Sequence, residues 1–145
     1  GAKAQALGMK VLAYDIFKAE GLENENMKYV EMDELLANSD FISVHTPSID
    51  GKPLINADTI AKMKDGAIVI NTSRGNNVDE DALLAALESG KLRGAGLDVF
   101  AEEPAKNHAL YSHPHVSCTP HIGAQTAEAQ KRVGAEIVDI IKNFA

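Results

Sequence analysis

Short runs of apolar and β-branched residues alternate repeatedly with stretches of helical periodicity, and this alternation restricts the fold more than any other feature of the chain. It is the pattern of an α/β domain built on a parallel sheet. The expected strands cover residues 10–14, 28–30, 41–45, 67–71, 94–99 and 116–119. Several are continuous apolar runs, as strands covered on both faces should be. Between them, 33–38 and 57–63 predict short helices. A clearer helix spans 79–89: Asp79 can cap it, Leu83, Leu84 and Leu87 form an apolar stripe, and Gly90 suits a left-handed stop. The last helix, about 126–144, carries Val133, Ile137, Ile140, Ile141 and Phe144 at helical spacing. From 102 to 114 the periodicity lapses, with Pro104 and Pro114 inside, which predicts a loop of the kind that is often functional. The acid-rich stretch from Glu20 to Glu34 is read as solvated loop and helix face.

At 145 residues the chain has room for one domain or a large piece of one. Hydrophobic residues at 45% and charged residues at 24% are the balance of a globular chain with a real core. The 14 Lys and Arg against 21 Asp and Glu leave a net charge of −7. That surface repels phosphate backbones and anionic lipids, so neither nucleic acid nor membrane is expected as a partner. No apolar run approaches the roughly 20 residues needed to cross a bilayer, and the N-terminus lacks signal-peptide order. A single cysteine, Cys118, cannot form an internal disulfide and fits a cytoplasmic location. It is read as a small core residue near the end of the last strand.

Ligands of doubly wound sheets sit beyond the carboxyl ends of the strands, and here nearly every strand ends in polar residues. The endings are Asp15, His45-Thr46-Pro47, Asn71-Thr72-Ser73-Arg74-Gly75, Asp98 and Thr119-Pro120-His121-Ile122-Gly123. Each has two readings. Asp15 is a turn residue, or it accepts hydrogen bonds from an adenosine ribose and repels a 2′-phosphate, which favours NAD over NADP. Arg74 is a solvated arginine or a planar fork for a substrate carboxylate. His121 is a structural histidine or an acid/base. His108, His113 and His115 cluster in the loop without the Cys or paired acids of a metal site.

Three stretches, AIVINTSRG at 67–75, GAGLDVFAEEP at 94–104 and TPHIG at 119–123, occur in an order and spacing that strongly resemble the D-isomer-specific 2-hydroxyacid dehydrogenases. Gly8-Met9 leading into Val11 to Asp15, and the His45-Thr46-Pro47 turn, agree as well. Within the family, the last stretch and the loop before it are most similar to the D-3-phosphoglycerate dehydrogenases. The resemblance implies a Rossmann-like doubly wound sheet, NAD as cofactor and a 2-hydroxy or 2-oxo acid as substrate. It implies that Arg74 binds the substrate carboxylate, that His121 is the acid/base and that Glu103 is its partner. Asp98 would lie beside the nicotinamide. Thr46, Pro47, Thr72, Ser73, Gly123 and Ala124 would contact the cofactor.

The family's Gly-x-Gly-x-x-Gly turn and the strand before it are not in the chain, and Gly1 to Leu7 matches only the last turns of the helix after them. Together with an opening on Gly1 rather than Met, this predicts a piece of a longer enzyme: one partial nucleotide-binding domain over 1–145, with the substrate domain elsewhere. Such a piece is expected to be inactive alone and to bind NAD weakly. The family's first strand lies between the strands at 10–14 and 41–45, so two strand edges should face an empty slot. Either the edges close up or a second copy fills the slot, and a homodimer through those edges is expected. The competing class is a corepressor-like binding module of the same fold, which a basic surface or an interaction tail would favour.

Overall fold

The computed structural model describes residues 1–48 and 51–144. Along the chain the elements are α1 (Ala2–Ala6), β1 (Val11–Ala13), β2 (Met27–Tyr29), α2 (Met32–Asn38), β3 (Phe41–Val44), α3 (Ala57–Lys62), β4 (Ala67–Asn71), a 3-10 turn (Gly75–Asn77), α4 (Glu80–Glu88), β5 (Leu92–Leu97), α5 (His108–Tyr111), β6 (Val116–Cys118) and α6 (Ala127–Phe144). All strand pairs are parallel, in two sheets: β1 with β2, and β3-β4-β5-β6 in that order. Among the described residues β1 and β3 do not pair, so the two edges have not closed up.

The four-stranded sheet holds the core. Ile42 and Val44 of β3 sit beside Val69 and Asn71 of β4, and Val69 beside Ala95 of β5. Leu36, Ile60, Leu83, Leu87 and Leu110 pack onto that face from α2, α3, α4 and α5. Each such side chain contributes about 1.5–3 kcal/mol by leaving water. The caps explain where the helices begin. Asp79 accepts from Ala82 N at 3.0 Å at the start of α4, and Asn56 makes a reciprocal capping box with Thr59 at the start of α3. Gly90 ends the α4 region at φ 77°, the left-handed stop read from the sequence.

Several expectations need correcting. The sheet is covered well on one face only: Phe41 on the other is 48% exposed. The 102–114 segment contains the short helix α5, capped by Asn107, which accepts from Leu110 N at 3.2 Å. Leu84 is only partly buried, while Ala86 completes the α4 stripe. Cys118 is exposed rather than core, because β6 is an edge strand with β5 as its one neighbour. The apolar stripe of α6 is present, yet Val133, Ile137, Ile140, Ile141 and Phe144 remain 47–90% exposed.

Candidate active site

The strand ends β4, β5 and β6 converge on a shallow pocket of about 280 Å³ lined by Arg74, Gly75, Asn76, Val99, Phe100, Ala101, Glu103 and His121. Three side chains singled out in the sequence, Arg74, Glu103 and His121, thus meet in one place. A larger groove of about 560 Å³ beside it, around Asp79, Glu80, Asp81 and Glu102, is acidic and holds none of the three.

Asp98 builds the turn that presents His121. Thr119 Oγ1 donates to Asp98 Oδ1 at 2.5 Å, Ile122 N to the same oxygen at 2.9 Å, and Gly123 N to Oδ2 at 3.0 Å. Burial pushes this carboxyl up, but those three donors and the neighbouring His121 outweigh it and hold the carboxyl below the usual range. The turn places His121 at φ 55°, the left-handed region that costs a non-glycine residue free energy and persists only where its surroundings enforce it. The sequence reading put Asp98 beside the nicotinamide; its oxygens are largely occupied in holding this turn.

His121 Nδ1 lies 2.8 Å from Glu103 Oε2. A carboxylate can only accept, so Nδ1 carries the hydrogen and Nε2 is left for a reacting group. Glu103 Oε1 accepts from Phe100 N at 3.3 Å, which orients the carboxylate. The hydrogen bond to His121 lowers the Glu103 carboxyl below its ordinary value. Arg74 is exposed; its Nη1 donates to the Ser73 carbonyl at 2.7 Å, and no carboxylate pairs with it among the described residues.

A contact that the sequence reading missed sets the spacing of these groups. A Cβ on Gly75 would lie 1.8 Å from the Phe100 carbonyl oxygen, so the Arg74 loop and the Glu103 loop meet backbone to backbone. Glu80 Oε1 accepts from Ala101 N at 2.8 Å and fastens the second loop to α4. The pairing of an arginine with a following glycine at a strand end was the available signal.

The other candidates that follow β3 to β6 lie at the same strand-end edge but outside the pocket. Thr72, Pro47, Gly123 and Ala124 are exposed, and Thr46 and Ser73 are partly buried. Asp15 follows β1, is exposed, and accepts from Phe17 N at 2.9 Å, closing a local turn and leaving Oδ2 without a partner among the described residues. An open polar edge flanked by an imidazole and a guanidinium fits the nicotinamide end of a dinucleotide, and a free carboxylate oxygen beyond β1 fits a ribose. Among the described residues no cluster of His, Cys, Asp or Glu is placed to hold a metal, and no helix is long and apolar enough to cross a membrane.

A parallel α/β sheet whose carboxyl edge carries an imidazole–carboxylate pair and an unpaired arginine has the layout of a nucleotide-dependent oxidoreductase domain. The family profile described as D-isomer specific 2-hydroxyacid dehydrogenase, NAD binding domain, matches residues 1–123, and the chain belongs to that family. It is 49% identical over 143 residues to a hydroxypyruvate reductase of Thermotoga maritima, covering 96% of this chain and 46% of that protein. It is 45% identical over 147 residues to a D-3-phosphoglycerate dehydrogenase of Rattus norvegicus, covering 97% of this chain and 28% of that protein. Among solved structures, the D-lactate dehydrogenase of Aquifex aeolicus, complexed with NAD and lactic acid, superposes with a TM-score of 0.86 at 38% identity, covering 99% of this chain and 48% of that one. The chain therefore spans less than half the length of these relatives.

Proposed function

We propose that this chain is the nucleotide-binding part of an NAD-dependent dehydrogenase that interconverts a D-2-hydroxy acid and its 2-oxo acid. The observation that carries this reading is the 2.8 Å His121–Glu103 pair in the pocket lined by Arg74. The cofactor supplies or accepts the hydride. Arg74, with a planar two-pronged fork, grips the substrate carboxylate. His121 Nε2 gives a proton to the carbonyl oxygen in reduction and removes the hydroxyl proton in oxidation. Glu103 holds the ring by Nδ1 and stabilises its protonated form. Thr46, Pro47, Thr72, Ser73, Asp98, Gly123 and Ala124 border the cofactor, and Asp15 takes the adenosine ribose.

The substrate is assigned to the three-carbon D-2-hydroxy acids. A hydroxypyruvate-reducing activity and a 3-phosphoglycerate-oxidising one differ by a phosphate on C3, and relatives of both kinds are similar to this chain. The pocket offers one unpaired cation among the described residues, Arg74, so 3-phosphoglycerate would need further cations from elsewhere in the full-length protein. Comparing rates on hydroxypyruvate and its 3-phosphate separates the two. Taken alone, the chain is expected to turn nothing over, and its β1 and β3 edges favour pairing with a second copy. A strictly monomeric mass by light scattering over a wide concentration range would remove that assembly.

The decisive test uses the full-length protein. His121→Ala should lower turnover by about 10²- to 10⁴-fold while leaving cofactor affinity nearly intact. Arg74→Lys should also be damaging, because an ammonium cannot reproduce the fork. Near-normal turnover in either variant would show the acid/base or the anchor to be wrong. Asp15→Ala should weaken NAD and improve NADP, and equal use of both cofactors by the unmutated protein would refute the role of Asp15.

A further inference from the structure

Asn77 is completely buried at the end of the 3-10 turn, and the chemistry proposed for Arg74, Glu103 and His121 leaves it no task. Its Nδ2 has three acceptors in reach: the Thr46 carbonyl at 2.9 Å, Thr46 Oγ1 at 3.0 Å and Ser73 Oγ at 3.1 Å. An amide nitrogen carries two hydrogens, so one is shared. The Thr46 carbonyl can only accept, which fixes the amide orientation. Oδ1 is then buried with no partner among the described residues. Its Oδ1 gains nothing from the fold, so what the asparagine contributes here is the donor that its Nδ2 supplies to Thr46 and Ser73.

The amide does close an unbroken chain of hydrogen bonds. Ser73 Oγ receives from Asn77 and donates onward to Asn71 Oδ1 at 2.8 Å. Asn71, also buried, accepts from Ser73 N at 3.1 Å and donates its Nδ2 to the Arg74 carbonyl at 2.9 Å. The chain runs from the main chain of Thr46, just after β3, to the main chain of Arg74, just after β4. Asn76 adds a second strap outside it, donating Nδ2 to Ser48 Oγ at 3.2 Å.

We propose that Asn77 is a positioning residue that fastens the Arg74 loop to the Thr46–Pro47 loop and so fixes the pose in which Arg74 grips the 2-oxo acid. It acts through Ser73 and Asn71. The proposal rests on the assignment of Arg74 as the carboxylate anchor.

In the full-length protein, Asn77→Leu removes the donor and fills the space with an apolar group. The expected result is a roughly ten- to hundredfold fall in kcat/KM for the 2-oxo acid, carried mainly by KM and larger than any weakening of NADH binding in a fluorescence titration. A lowered melting temperature with kcat/KM intact would overturn the proposal and leave a structural role. Asn77→Ser and Asn77→Ala form a matched pair that creates nearly equal space, and only the serine keeps a donor. The serine should be several-fold faster, and equal rates would overturn the proposal even if the leucine variant fails to fold. Arg74→Ala separates the two readings. If it leaves KM for the 2-oxo acid unchanged, the anchor is wrong and the proposal falls with it. If it raises KM while Asn77→Leu does not, the role of Asn77 alone is refuted.

Discussion

The half of the chain from α2 through the turn after β6 buries most of its apolar residues, whereas the β1–β2 pair only half-buries its own and α1 and α6 leave nearly all of theirs in solvent. Leu83, Val69 and Leu110 are fully buried in the first. In the second, Ile16 and Phe17 are about 80% exposed and Phe144 is 90% exposed, and α1 buries nothing. The chemistry divides along the same line. Arg74, Glu103 and His121 sit on the packed half, while Asp15, which would read the cofactor's ribose, follows β1 on the open half. A reaction centre needs groups held within fractions of an ångström, and close packing of the elements beneath supplies that rigidity. In this chain the His121–Glu103 geometry is built in, and the surroundings of Asp15 are open.

This contrast can be broken most severely at Gly75. Gly75→Ala forces a Cβ into the Phe100 carbonyl, and the expected cost is on the order of 4 kcal/mol, read by denaturant unfolding. A cost below about 1 kcal/mol would mean that the two loops separate freely. Next in size is Leu83→Ala, which opens a cavity under the sheet and should cost about 2–5 kcal/mol. The same unfolding experiment measures it, and amide exchange should be slowest in β4 and β5 and fast in β1 and β2. If β1 and β2 proved equally protected, the division into two halves would be wrong.

Asp98→Asn should cost about 1–3 kcal/mol, since the 119–123 turn loses a charged acceptor for three donors. The sign with pH follows from the lowered carboxyl. A group whose folded value lies below its unfolded one stabilises the fold above the ordinary carboxylate range, and that contribution is lost as pH falls through the lowered folded value. Melting temperatures taken from neutral to acid pH should therefore fall for the parent and fall less for Asp98→Asn. Parallel curves would show that Asp98 does not anchor the turn. The smallest effect is expected for Ile141→Ser on the exposed stripe of α6, within about 0.5 kcal/mol in this chain. A larger loss would show that α6 is covered.

Legibility from the sequence did not follow that division: α6 on the open half is foreseen almost to its ends, while on the packed half α5 is not foreseen and β5 lies two residues earlier than expected. β4 was read to the residue because its unbroken apolar run is bounded by Gly66 and by the polar Thr72 and Ser73. β1 came out two residues shorter than expected, since it has a single neighbour to define its ends. α5 escaped because four residues are too few to show a helical period; its capping Asn107, three before Leu110, was the only trace. In the site, strand-end polarity pointed to Arg74 and His121, while the TPHIG and AEEP resemblances supplied Glu103. Which polar residues are buried was not legible. Asn71 and Asn77 look like any loop asparagine, and only the three-dimensional path shows that they join two loops.

The backbone contact at Gly75 also bears on how such a domain could change what it accepts. Because the loop of Arg74 and the loop leading to Glu103 abut main chain to main chain, the distance between them behaves like a gauge block, ground to one length and indifferent to side-chain exchange. On the roles proposed for Arg74 and Glu103, substitutions elsewhere would reshape what surrounds the far end of a substrate and leave the spacing between these two loops unchanged. Selection for new substrates would have to vary tail length and polarity while conserving the head.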